Sequence, residues 1–128
     1  MTTQTGSMTV VMSGVVAIVA IAAVAVASLG MLFAARAQAT NAADAGALAA
    51  AVATYPPASA LGPVTAAREV IGRNGATLVE CHCPRRGDLA PRTVEVVAGV
   101  RVEVPIFGTF TVKSASRAEF DPLRWLGR

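Results

Sequence analysis

The chain has 128 residues and a net charge of +3, with 54% hydrophobic and 15% charged residues and a mean hydropathy of +0.56. That is the length of one small domain. Its Lys and Arg residues are interleaved with acidic ones, so no polyanion-binding stripe forms and no nucleic-acid partner is expected. Two cysteines make no disulfide framework, and one histidine makes no metal cluster.

Residues 1–7 carry no charged side chain and read as a leader-like segment. From Met8 to Ala35 there is still none, and the first in the chain is Arg36. This run exceeds the roughly 20 residues that cross ~30 Å of hydrocarbon, and its valines, isoleucines and leucines favour insertion. The other half of the chain is too small and polar to bury such a helix. A cleaved secretory signal is the rival, with Ala37-Gln38-Ala39 as an A-x-A site. It lacks a basic start and its apolar core is too long.

Past Ala35 the residues remain helix formers as far as Ala53, and Tyr55-Pro56-Pro57 is the first firm stop. One transmembrane and extended helix is therefore expected over 8–54, roughly 70 Å long, so that its second half projects from the membrane. Ala20, Ala23, Ala27, Gly30 and Ala34 recur three and four apart on one stripe, a pattern that lets helices approach closely in lipid. Alanine richness alone gives the same pattern. At the membrane boundary Arg36 and Asp44 share a polar face, two turns apart and too distant to pair within one helix. A solvated face and pairing between subunits are the two readings.

Gly6-Ser7-Met8-Thr9-Val10-Val11, the apolar helix, and the alanine-rich run from Ala35 to Ala50 (Ala35-Arg36-Ala37-Gln38-Ala39-Thr40-Asn41 and onward) together resemble the TadE/TadG-like pseudopilins of tight-adherence (Flp) pili. The short actinobacterial TadE-like type is the most similar, and Asn74-Gly75-Ala76-Thr77-Leu78-Val79-Glu80-Cys81 fits it too. The resemblance implies a single-pass anchor in the cytoplasmic membrane, N-terminus inside and residues 40–128 outside. It also implies partners that are other pseudopilins or a second copy, engaged through helix packing. Prepilin-peptidase processing would map onto Gly6, leaving Ser7 as the first residue. Such pilins carry a glutamate at the fifth mature position, and here that position is Val11. This departure favours an uncut anchor. Counted by Lys and Arg alone, Arg36 would hold the head inside; the resemblance is followed instead.

Residues 55–61 read as a linker and 62–128 as an extracytoplasmic head. Pro63 opens a helix whose apolar positions are Val64, Ala67, Val70 and Ile71, and Asn74-Gly75 ends it. The period then changes to two. Thr77, Val79, Cys81 and Cys83 are expected on one face of a strand, with Pro84–Asp88 a turn. Thr93–Val104 reads as a long strand with Gly99 a bulge or hairpin point, and Thr109–Phe120 returns with Phe110, Val112 and Ser114 alternating. The fold class is therefore α+β: a long transmembrane helix, then a pilin-like head of one helix and a three- or four-stranded antiparallel sheet.

Cys81 and Cys83 are candidates for a disulfide, within one chain or between two copies, or else are packed thiols. Alternation points His82 away from both, so no metal site is expected. No catalytic constellation accompanies His82, and Arg86-Gly87-Asp88 is taken as a chance tripeptide in a turn. Trp125 is expected to cap the small core, with a place on a membrane surface as the alternative. The chain reads as non-enzymatic and without cofactors, a membrane-anchored minor pseudopilin in pilus or secretion-system assembly. The alternative is a signal-anchored extracytoplasmic binding module unrelated to filaments.

Overall fold

The structure, a computed structural model, describes residues 5–127. Residues 1–4 of the leader-like segment lie outside them. The helix α1, Thr5–Ala53, is continuous over 49 residues, so residues 5–7 form its first turn. Nothing interrupts it, because neither glycine nor serine breaks an alanine-rich helix and no proline occurs before Pro56. It ends in tightened turns, with Thr54 N–H and Oγ1 both donating to the Ala51 carbonyl at 3.3 and 2.6 Å.

The head follows as α2, Pro63–Arg73, then β1, Thr77–His82, β2, Arg92–Val104, β3, Gly108–Phe120, and a short α3, Pro122–Leu126. The sheet is antiparallel in the order β1-β2-β3. The α+β expectation holds, with three strands. Proline at the start of α2 supplies its fixed φ where no N–H bond is needed. Gly75, at φ +70°, provides the left-handed residue after its end.

The second half of α1 lies on the sheet, and its contact face is almost wholly alanine. Ala35, Ala39, Ala42, Ala43, Ala47 and Ala50 are buried against Val94, Val96, Ala98 and Val100 of β2 and Ile71 of α2. Alanines at three- and four-residue spacing keep one flat stripe facing the sheet. Gly46 continues it at the closest approach: a Cβ there would stand 2.6 Å from Ile71 Cδ1. Alanine richness thus has a structural use in residues 35–51, where small size lets the sheet and α2 close on the helix.

Two details depart from the sequence expectation. The bulge is in β1 and not at Gly99: the register slips between Leu78 and Glu80, leaving Val79 without a partner on β2. Gly99 pairs regularly with Thr77 and Lys113, and a Cβ on it would meet Val79 Cγ2 at 3.0 Å. The bulged Val79 thus lies over the bare glycine backbone. The slip also splits the predicted face of β1. Leu78, Cys81 and Cys83 pack against the core, whereas Thr77 and Val79 are exposed.

Candidate membrane-facing surface

The first half of α1 is long and apolar enough to cross a membrane, and its most apolar stretch buries nothing inside the protein. Val10, Val16, Ile18, Ile21 and Val26 are each more than 60% exposed. Burial along α1 begins only at Ser28, whose Oγ donates to the Val24 carbonyl at 2.8 Å. Such a bond inside the helix satisfies a hydroxyl that has no water.

The stripe Ala20, Ala23, Ala27, Gly30 and Ala34 is exposed throughout, and a Cβ on Gly30 would meet nothing within 4 Å. At 100° per residue the centre of the stripe is roughly 140° around the helix from the face that carries the head. The head therefore leaves Ala23, Ala27, Gly30 and Ala34 uncovered, and only Ala20 borders the hairpin tip. Arg36 and Asp44 are exposed, and neither has a salt-bridge partner among the described residues. Between them Thr40 turns to the sheet, its Oγ1 3.0 Å from Ser114 Oγ. Gln38, which also lies between them, donates to the Asn74 and Gly75 carbonyls at 3.0 and 3.3 Å. The polar band is thus partly a latch between α1 and the head.

On the head's side, the tip of the β2–β3 hairpin reaches back along the membrane half of α1. Val104, Phe107 and Phe110 line a groove of about 420 Å³ with Ala25, Ser28 and Leu32. Further down, Ile106 and Phe107 line another of about 320 Å³ with Ala20, Ile21 and Val24. Phe110 has the same strand parity as the inward Val112 and Ser114, so it faces α1 beyond the end of the packed core. In the sequence Pro105–Gly108 stands only as the interval between the strands expected over Thr93–Val104 and Thr109–Phe120. The missed signal is that the turn is apolar, where a hairpin end in water is ordinarily polar.

At the opposite end of the sheet the interior is held by Arg92. Its guanidinium donates to the carbonyls of Arg86 at 2.6 Å, Thr54 at 3.4 Å and Ala90 at 3.0 Å, and also to the Asp88 carbonyl. It pairs with the Asp88 carboxylate at 3.0 Å. Asp88, the last residue of the Arg-Gly-Asp tripeptide, thereby serves the fold of its own loop. Arg92 lies 6.0 Å from the centroid of Tyr55, and Tyr55 meets Phe120 and Trp125 at 6.4 Å each. Trp125 meets Tyr55 edge-on at the margin of the core but stays 48% exposed.

Cys81 and Cys83 are bonded to each other, with Cα atoms 5.4 Å apart. His82 points the other way and is exposed, 3.7 Å from Glu80. No group of metal-binding side chains occurs among the described residues.

A single exposed apolar helix that becomes the backbone of a small α+β head defines a bitopic, anchor-and-head type of protein. Residues 6–53 match the model of the family described as "Putative Flp pilus-assembly TadE/G-like". Over α1 the chain is similar to that family, and the match stops where the elements of the head begin. No curated protein and no solved structure matches the chain.

Proposed function

We propose that the protein is a membrane-anchored minor pseudopilin, a non-enzymatic part of the apparatus that assembles a Flp-type pilus or related secretion filament. It spans the cytoplasmic membrane once, with the N-terminus inside and the head outside. The observation that carries this is the family match over an α1 whose small-residue stripe faces away from the head. One side of the helix holds the head, and the other is left for a neighbouring pseudopilin or a second copy. The Cys81–Cys83 bond supports the outside position of the head, because disulfides persist in oxidising compartments.

In lipid, helices associate through close van der Waals approach of small residues, and each contact is modest. Gly30→Leu should therefore weaken association of the full chain with itself or with a co-expressed TadE-like partner by about 1 kcal/mol. Leu32→Met, on the side of the hairpin, should leave it unchanged. A membrane two-hybrid measurement reads both. Equal association of the two variants would remove the stripe as an assembly face. A wild-type chain that stays monomeric beside all such partners would favour the binding-module alternative.

A further inference from the structure

The β2–β3 tip is the least water-adapted part of the head. Between Glu103 and Lys113 no side chain is charged, and the outermost residues are apolar: Ile106 is 88% exposed, Phe107 67% and Phe110 47%. The backbone makes the choice of residue stranger still. Phe107 N–H donates to the Val104 carbonyl at 3.1 Å across Pro105 and Ile106, and Ile106 has φ +75°. This is the pattern of a type II turn, whose second central position favours glycine or asparagine. A β-branched residue is a genuine outlier there. An isoleucine held in that conformation with its side chain in water gains nothing in return. In hydrocarbon it does.

The position of the tip supplies the hydrocarbon. Ile106 and Phe107 share a groove with Ala20, Ile21 and Val24, residues of the segment read above as membrane-spanning, on which the present argument rests. We propose that the β2–β3 hairpin tip is immersed in the leaflet on the head's side, with Ile106 and Phe107 among the upper acyl chains. The head then touches the membrane twice, through α1 and through the tip beside it.

Charge and length set the depth. Glu103 must stay among headgroups or water, because an ionised side chain in hydrocarbon is costly. Its neighbour Val104 lies in the groove with Ser28 and Leu32, so the edge of the hydrocarbon falls near Ser28. Counting ~30 Å down from there at 1.5 Å per residue reaches about Met8, still within the uncharged run. Ile106 lies three strand residues beyond Glu103, roughly 10 Å lower at most, which matches the 5–10 Å immersion of interfacial apolar groups. Arg101 and Lys113, exposed on the outer face of the hairpin, lie above this plane, where the phosphates of the headgroups are.

The occupant is lipid and not a second chain because the surface is continuous with the lipid-exposed face of α1. The test uses the full chain in phosphatidylcholine nanodiscs, with Trp125→Phe as background and one new tryptophan at a time. Phe107→Trp should be quenched by nitroxides placed high on the acyl chains at least three-fold more strongly than Leu89→Trp, an exposed loop position. Ile18→Trp, near the bilayer centre on this count, is the membrane reference and is read with nitroxides near the ends of the acyl chains: if it is quenched by these and Phe107→Trp is not quenched by the high ones, the tip proposal fails and the anchor reading stands. If Ile18→Trp is not quenched, the anchor reading and the tip proposal both fail. Blue-shifted but unquenched emission from Phe107→Trp would assign the tip to a protein contact and overturn the proposal. Phe110→Trp, at the groove itself, repeats the measurement should the tip variant misfold.

Discussion

Arg92 falls in phase with Val94, Val96, Ala98 and Val100, the inward positions of β2. A charge in that series must either break the strand or find partners inside, and it finds the carbonyls of the loop from Cys83 to Pro91 and of Thr54. The planar fork of arginine reaches several acceptors at once, whereas lysine offers one nitrogen. Arg92→Lys should therefore destabilise the head by about 2 kcal/mol, the scale of lost hydrogen bonds to a charged group. Thermal unfolding of the full chain in detergent should fall accordingly, and trypsin should cut faster after Arg85 and Arg86. Unchanged unfolding and cleavage would mean that the loop is held by something else. The strand expected from the sequence begins at Thr93, so Arg92 was not marked as an inward residue. Which carbonyls it meets was not legible, because they come from two loops distant in sequence. Ile106 was hidden for a different reason, since the sign of φ is a property of the turn and not of the residue.

At the scale of elements the periodicities served well wherever one face alone is buried. Val64, Ala67, Val70 and Ile71 marked α2, although the contact finally uses Pro63, Ala66, Ala67 and Ile71 and leaves Val64 exposed. The β1 face was misread because a one-residue bulge inverts every side chain beyond it, and a bulge at Val79 has no local mark in the sequence. The disulfide at the end of β1 bears on the orientation of α1, since the charge count at its ends rests on Arg36 alone. With Cys81 and Cys83 both changed to serine, a cysteine introduced by Lys113→Cys should react with a membrane-impermeant maleimide on intact spheroplasts. Opening so short a loop removes little chain-entropy stabilisation, so the head should persist. Labelling only after lysis would put the head inside and reverse the orientation proposed above.

Taken whole, the molecule is a helix used for two purposes along its length. Residues up to about Ser28 are apolar and exposed on most sides, and from Ala35 the same helix becomes the central element of the head. The uncharged run and the stop at Tyr55-Pro56 made that division readable, and the unbroken passage between the halves follows from the alanine content. What happens at the start of α1 is the remaining structural question with a functional answer. Cleavage after Gly6 would leave the amine of Ser7 as a new charge at the opposite membrane face. In the pilins that the chain resembles, a glutamate at the fifth mature position can offset a neighbour's amine. Here Val11 stands at that position, exposed on α1, and no acidic residue precedes Asp44. An unpaired charge near hydrocarbon is costly, and no side chain on this half of α1 could compensate for one on an adjacent subunit. The chain is therefore expected to stay uncut and to act as a fixed anchor. Intact-mass spectrometry of the protein from native membranes should return a mass that includes leader residues up to Gly6, that is, a chain beginning before Ser7. A mass matching a chain that begins at Ser7 would refute the fixed anchor. It would mean that the new amine is tolerated among the headgroups without a carboxylate partner.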